Sequence, residues 1–382
     1  MDTKQWIGWL GPVTALAAVL LLGGCLPGRA EGTGAEVAAA TQTRTVLSKV
    51  YNVDRKYRSM TGPHSQQEVR LGGEDGEREL VWITGYEAVM VSADGSSPMP
   101  QDFMCHSNLD VDVDVHGDLF GSASGFGSRL FTLSQGQLSV RFPAGFGIPV
   151  LSDEPLSLTT QVLNLNAEGE SFDVRHKVTI EYVRDRDAGA MTALFPSAAY
   201  GLTLLEGDDG YYGVREADEE EHGPGCLVGT TASDHSYDDG LGRKFTGHWL
   251  VEPGREVNRT LVTRLMGIPY DTTLHYVAVH LHPFAESLEL RDLTTGESLF
   301  LSAARNFEDK IGLARVDYFT STEGIPVFRD HEYEIVSTYH NTTDEDQDSM
   351  AVMYLYLRDL EFEKRWAKLG RKTLRARRDS PS

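Results

Sequence analysis

The sequence predicts an all-β protein made of sandwiches or barrels. Most segments alternate apolar and polar residues with a period of two, and they end in clusters of glycine, aspartate, asparagine or proline. Long helical patterns are scarce. At the usual ~100–200 residues per domain, the 382 residues of the chain are enough for two domains.

The strand pattern is clearest at residues 79–91, 137–142 and 174–183. Four apolar residues of the last segment share one face: Val174, Val178, Ile180 and Tyr182. Residues 287–302 predict a hairpin with its turn near residues 294–296, because two strand-like runs flank a Thr-Thr-Gly turn.

Residues 1–25 are typical of an export signal. Lys4 precedes an apolar run at residues 13–22 that is too short to span a bilayer comfortably. The run ends in L-G-G-C at Cys25, which resembles the lipobox of bacterial lipoproteins. The resemblance implies cleavage before Cys25, a lipid on its sulfur, and a protein anchored to a membrane on the exported side of a bacterial cell envelope. A plain secretory signal or a short uncut anchor is the alternative.

The rest of the chain divides by composition. Residues 26–45 are small and polar and predict a flexible tether. A charged, glycine-containing break separates an N-terminal β-sandwich at 46–185 from a C-terminal one at 186–360, which carries an acidic insertion near 207–224. Residues 361–382 form a basic tail that contacts anionic lipid head groups or is a solvated end.

The net charge of −22 argues against a nucleic-acid partner, because no basic surface is large enough to neutralise several phosphates. After lipidation of Cys25 only Cys105 and Cys226 remain, and the sequence does not decide whether they pair. The alternating run "DVDVDVHGD" at 110–118 predicts a strand with a charged outer face. It fails as a calcium loop, since Val115 stands where that loop needs glycine.

The stretch "HYVAVHLHPF" predicts a strand that carries two histidines on one face. His280 and His282 are two residues apart and project together, whereas Val279 and its apolar neighbours Val277 and Leu281 fill the opposite face. His275 points with that opposite, core-side set. Imidazoles on a rigid strand suit copper, zinc, iron or nickel, but an isolated H-x-H pair is more often structural.

Met350 adds a third candidate ligand. It opens another apolar strand, after an acidic loop, and shares a face with Val352 and Tyr354. Two imidazoles with a thioether select a soft metal, above all copper(I). The alternative is that Met350 fills a gap in the core, as most methionines do.

Two segments, "YVAVHLHPFAESLELRDLTTGE" and "DSMAVMYLYL", resemble the C-terminal domain of the copper type II, ascorbate-dependent monooxygenases. That family includes peptidylglycine α-hydroxylating monooxygenase and dopamine β-monooxygenase. The resemblance covers residues 246–359 and implies two tandem jelly-roll β-sandwich domains, each with one copper. It assigns the oxygen-activating copper to His280, His282 and Met350, and a substrate contact to Tyr354.

The N-terminal half departs from the family pattern. The family's His-His pair for the second copper is His106–Ser107 here, and Leu163 or Gln161 stands where a third histidine is expected. The resemblance therefore implies one copper and a degenerate second site at His106. The neighbouring Cys105 either completes a two-ligand site there, or is buried or in a disulfide.

The substrate residues depart as well. Ala278 replaces the arginine that anchors a substrate carboxylate in the peptide-hydroxylating members, and Val352 replaces an asparagine. A peptide ending in glycine is therefore not the expected substrate.

Three functions stay open from the sequence. The first is an oxygen-activating C–H hydroxylase that acts on an unidentified small molecule and takes its second electron from a soluble reductant or a partner protein. The second is a copper carrier or sensor without catalysis. The third is an interaction module in which the His pair is vestigial.

We predict that Cys25→Ser abolishes lipidation, because the lipid is carried by the cysteine sulfur. Mass spectrometry of the mature N-terminus from a bacterial membrane fraction measures this. Cys226→Ser is the control and should keep the lipid. A wild-type N-terminus without lipid would contradict the lipobox interpretation.

Overall fold

The computed structural model describes residues 41–72, 78–120, 127–166, 169–205, 209–211, 214–215, 237–238 and 243–362. The predicted signal, nearly all of the tether, most of the acidic insertion, Cys226 and the basic tail from residue 363 lie outside this part of the chain. The domain division and the lipid anchor therefore remain predictions.

The all-β prediction is confirmed, since strands dominate the described residues. In the first half the strands are β1 Gln42–Leu47, β2 Tyr51–Val53, β3 His64–Val69, β4 Leu80–Ser92, β5 Met104–Val111, β6 Arg129–Leu133, β7 Ser139–Arg141, β8 Phe146–Leu151, β9 Leu156–Val162 and β10 Phe172–Arg184.

In the second half the strands are β11 Thr192–Tyr200, β12 Thr203–Leu204, β13 Asp209–Tyr211, β14 Val214–Arg215, β15 Tyr237–Asp238, β16 Lys244–Thr246, β17 Trp249–Val251, β18 Gly254–Leu261, β19 Thr272–Leu281, β20 Ala285–Asp292, β21 Glu297–Asn306, β22 Leu313–Val316, β23 Phe319–Val327, β24 Tyr333–Asn341, β25 Gln347–Ser349 and β26 Ala351–Arg358. The helices are a short 3-10 helix at Gln101–Phe103, α1 Val113–Phe120 and α2 Thr263–Met266. No helix among the described residues is long and apolar enough to cross a membrane.

The first sandwich packs the sheet β1-β10-β4-β8 against the sheet β3-β9-β5-β6. The alternation predicted for residues 174–183 is confirmed in β10, where Val174, Val178 and Ile180 are fully buried and the intervening Lys177 is exposed. The apolar face of β10 therefore forms one wall of this core.

The second sandwich packs β11-β26-β19-β23 against β18-β24-β20-β21-β22. Val277, Val279 and Leu281 of β19 enter its core together with Leu290 and Ile335 of the facing sheet, as the sequence predicts. The predicted hairpin is also confirmed, because β20 and β21 pair in antiparallel register around the turn.

One sheet runs through both sandwiches. Strand β11 pairs in parallel with β8, through Thr192 and Ala193, and in antiparallel with β26. The resulting ten-stranded sheet crosses the predicted boundary between residues 185 and 186.

Strands β19 and β26 are buried on both faces. One face contributes to the second core, while Tyr276, Ala278 and Tyr356 belong to the same apolar cluster as the first sandwich. The Tyr356 hydroxyl donates to the carbonyl oxygen of Leu130 on β6 at 2.9 Å. The face of β19 that carries His280 and His282 is therefore turned toward the first sandwich.

The strand predicted for residues 110–118 is wrong beyond Val111. Helix α1 begins at Val113, because the Asp112 carboxylate accepts the backbone N–H groups of Asp114 and Val115. His116 then contacts the buried carboxylate of Glu154 at 2.7 Å. The hydrogen bonds of this N-cap favour a helix over the strand that the alternation of aspartate and valine predicts.

Gln137 joins the sandwiches by a buried hydrogen bond, since its Oε1 accepts the N–H of Val279 at 2.8 Å. We predict that Gln137→Leu lowers the free energy of unfolding by about 1–3 kcal/mol, because the buried N–H loses its partner. Denaturant titration measures the change. Gln66→Leu, which removes only an exposed contact with Ser157, should cost less than about 0.5 kcal/mol. Equal losses in the two variants would contradict this role of Gln137.

Candidate metal centre

The candidate ligands lie where β19 loses one of its two neighbours. Its pairing with β23 ends at Val277, whereas its pairing with β26 continues to Leu281 opposite Ala351. Continued by one residue beyond both strands, the same register would set His282 opposite Met350. Residues directly opposite in an antiparallel pair have Cβ atoms about 4.5–5.5 Å apart, so the end of this pairing predicts that Met350 lies near His282.

All three candidate ligands are shielded from water. His280 and His282 are 4% exposed and Met350 is 3% exposed. The two imidazole rings are perpendicular, with centroids 5.3 Å apart. Met350 and Val352 pack in the apolar cluster that both sandwiches share. A ligand at this place would therefore be held away from solvent.

Tyr339 fixes the backbones of two candidate ligands relative to each other. Its hydroxyl accepts the N–H of His282 at 3.4 Å and donates to the carbonyl oxygen of Met350 at 2.6 Å. Burial raises the pKa of Tyr339 far above its ordinary value, so the hydroxyl keeps its proton. The strand ends are consequently braced from the opposite sheet of the second sandwich.

Asp348 orients the His282 ring. Nδ1 of His282 lies 3.0 Å from Oδ2 of Asp348 and 3.3 Å from the backbone oxygen of the same residue. Burial raises the pKa of Asp348, but hydrogen bonds from His282 and Ser59 outweigh burial, and the pKa lies below its ordinary value. Both contacted atoms only accept, so Nδ1 carries the proton and Nε2 is left as the lone-pair donor.

His280 is a neutral imidazole. Burial lowers its pKa well below the ordinary value, and the nearby His282 and His106 lower it further. Its Nδ1 is buried and has no hydrogen-bond partner among the described residues. Leaving such an atom unpaired costs about 1–3 kcal/mol. An unpaired, neutral imidazole is the state that a metal ion needs in a ligand.

His106 lies on β5, and its cross-strand neighbour is Gln161 of β9. Of the two residues that the resemblance offers at the place of a third histidine, Leu163 and Gln161, it is Gln161 that lies opposite His106. Its amide donates to the carbonyl oxygens of Met60 and Gly62 at 2.7 and 2.9 Å. Cys105, beside His106, is a buried thiol whose pKa is raised by burial to about 12, so it stays protonated at neutral pH.

Tyr354, the predicted substrate contact, lies on the same face as His280 and opposite Ala278. It is hydrogen-bonded to the partly buried guanidinium of Arg129, which also donates to Asp110 at 2.6 Å. The arginine expected at position 278 is absent, but a guanidinium from the first sandwich reaches the same face.

The sequence leaves His248 as either a supporting neighbour of the His pair or a satisfied histidine, and the structure places its ring centroid 5.9 Å from that of His282. Sequence reasoning missed Asp348 and Tyr339, which also contact His282. Their pattern in the sequence carries no signal, because only the folded register brings them to β19.

No ready-made set of three metal ligands drawn from histidine, cysteine, aspartate and glutamate exists within the residues that the structure describes. A metal at His280 and His282 therefore depends on the thioether of Met350 or on side chains that turn toward it.

No known protein-family model matches the chain, and no curated protein matches it. Three solved structures show weak likeness. The major capsid protein P2 from bacteriophage PM2 has a TM-score of 0.29 and 6% identity, and covers 82% of this chain and 97% of its own. PBCV-1 VP54, fitted into a reconstruction of the virophage Sputnik, has a TM-score of 0.32 and 7% identity, and covers 85% and 96%.

The third structure is PNGF-II, with a TM-score of 0.32, 9% identity, and coverage of 84% of this chain and 65% of its own. TM-scores at this level carry no argument about function.

Proposed function

We propose that this protein binds one copper ion through His280, His282 and Met350, and that a lipid on Cys25 holds it on the exported side of a bacterial envelope. The observation that carries the proposal is the end of the β19–β26 pairing, where Leu281 lies opposite Ala351 and Tyr339 joins the backbones of the next residues, His282 and Met350. The L-G-G-C segment supports the anchor.

The donor set fits copper better than the harder metals. Two imidazoles and a thioether in a buried, apolar setting suit copper(I). The nearest carboxylate, Asp348, is engaged with the proton-bearing Nδ1 of His282 and serves to orient that ring. Calcium and magnesium prefer several oxygen ligands, which this face does not gather among the described residues.

Copper, when bound, supplies one-electron redox chemistry and a place for oxygen. The chain itself holds the proton on Nδ1 of His282 through Asp348, braces both strand ends through Tyr339, and keeps water from the imidazoles by burial. These features favour a copper carrier or sensor, because ligands only 3–4% exposed leave little room for a substrate at the metal.

A hydroxylase is the second candidate, favoured by Tyr354 on the ligand face. It needs an unidentified small-molecule substrate and a soluble or protein reductant for its second electron. Oxygen consumption driven by ascorbate separates the two functions. Uptake that depends on His280 favours the hydroxylase, and its absence in the copper-loaded protein across many substrates favours the carrier.

We predict about one copper per purified chain, lost in His280→Ala and in Met350→Ala, because each variant removes a ligand. Metal analysis after copper loading and desalting measures the stoichiometry. His275→Ala is the matched control on the same strand, since both His275 ring nitrogens already contact Ser321 and Thr273. It should keep the copper. A wild-type protein that retains no copper would overturn the proposal.

We also predict that Asp348→Asn weakens copper binding by roughly 10–100-fold, the usual effect of losing the partner that orients a ligand. Competition with a chromophoric copper(I) chelator measures the affinity. Asp292→Asn is the control, because the Asp292 carboxylate is also largely shielded from water and contacts Nδ1 of His331 at 2.6 Å, away from β19. An equal change in both variants would show that Asp348 acts through stability alone.

A further inference from the structure

We propose that His106 of the first sandwich is a ligand of the same copper as His280 and His282, so that the metal bridges the two sandwiches. This rests on the proposed copper site and deepens it. The sequence placed His106 in a separate, degenerate site, whereas the fold directs it toward β19.

The face on which His106 lies follows from the alternation of β5. Leu109 packs in the apolar cluster of the first sandwich, and the Ser107 hydroxyl is 2.6 Å from that of buried Tyr86. These side chains point inward. His106 and Asp110 therefore point outward, to the other face of the sheet.

Contacts at one end of that outward face lead to β26. Asp110 holds Arg129, and Arg129 is bonded to Tyr354, which shares a face with His280. The nearby Tyr356 hydroxyl reaches Leu130. The outward face of the first sandwich and the ligand face of the second are thus in direct contact.

A second set of contacts leads from His106 to His282. The cross-strand partner of His106, Gln161, is held by the carbonyl oxygens of Met60 and Gly62. The adjoining Ser59 donates a hydrogen bond to Asp348, and Asp348 contacts Nδ1 of His282. These contacts connect the surroundings of His106 with those of His282, and His106 is close enough to His280 to lower the pKa of that imidazole.

His106 is a buried imidazole that lacks hydrogen-bond partners among the described residues. It is 1% exposed, and neither Nδ1 nor Nε2 has a hydrogen-bond partner within the part of the chain described. Each buried ring nitrogen without a partner lowers the free energy of unfolding by about 1–3 kcal/mol, so buried histidines are normally hydrogen-bonded. A metal ion supplies a partner for at least one of them.

Local backbone strain occurs on both sides of this contact. Of the described non-glycine residues, only Met60 and Phe284 have a positive φ, 71° and 69°. Met60 is the residue that receives the Gln161 amide, and Phe284 follows His282 by two positions. Such strain is concentrated at functional sites.

Copper binding by His106 together with His280 and His282 requires a rearrangement. Within the described residues these three imidazoles do not form a group that could hold a metal ion. Rotation of the His106 ring breaks no hydrogen bond, and Nδ1 of His280 is equally unconstrained. The rearrangement is thus a side-chain rotation at the contact between packed sandwiches.

The test is X-ray absorption spectroscopy and copper(I) affinity on the full chain, loaded anaerobically with copper(I) alone. The wild type should show three imidazoles and one sulfur at the metal. His106→Gln should show two imidazoles and bind roughly 10–100-fold more weakly or worse, since loss of a ligand costs at least as much as loss of an orienting partner.

His176→Gln is the matched control. His176 is also fully buried with both ring nitrogens unpartnered among the described residues, but its ring packs against Tyr51 in the first sandwich. It should leave the imidazole count and the affinity unchanged.

Two outcomes would overturn the inference. Two imidazoles in the wild type, or a His106→Gln protein with unchanged spectrum and affinity while His280→Ala loses copper, would remove His106 and leave the proposed function standing. A wild type that binds no copper would remove both. The wild-type spectrum decides even where His106→Gln does not fold.

Discussion

The antiparallel pairing of β19 with β26 is the interaction on which the remaining structure depends. Its register sets Tyr354 opposite Ala278, and it ends with Leu281 opposite Ala351, the residues next to His282 and Met350. A slip by one residue would turn every side chain of a strand to the other face and would separate the imidazoles from the thioether. Tyr339 and Asp348 support this register from outside the pair, because each contacts His282.

Strands β19 and β26 are buried on both faces, and this burial determines how the candidate ligands are held. One face completes the second core through Val277 and Val279, and the other carries aromatic and histidine side chains against the first sandwich. A strand that packs on both sides has no freedom to move without disturbing two cores. The backbone that carries the imidazoles is therefore fixed and shielded from water, which suits a site that keeps copper reduced.

The sequence predicted what depends on local pattern. Strand geometry alone fixes which side chains share a face. The period-two alternation was therefore enough to predict the buried face of residues 174–183 and the core-facing side of Val277 and Val279. The helix α1 was missed because one N-cap, at Asp112, overrides an alternating pattern. Asp348 as the partner of His282, and the outward direction of His106, depend on long-range pairing that no short segment encodes.

Anomalous diffraction at the copper edge, from crystals of the copper(I)-loaded protein, locates the metal relative to β19 and β26. We predict a single anomalous peak bonded to the imidazoles of His280 and His282 and to the sulfur of Met350. A peak elsewhere on the chain, or no peak at these residues in a copper-loaded crystal, would contradict this prediction.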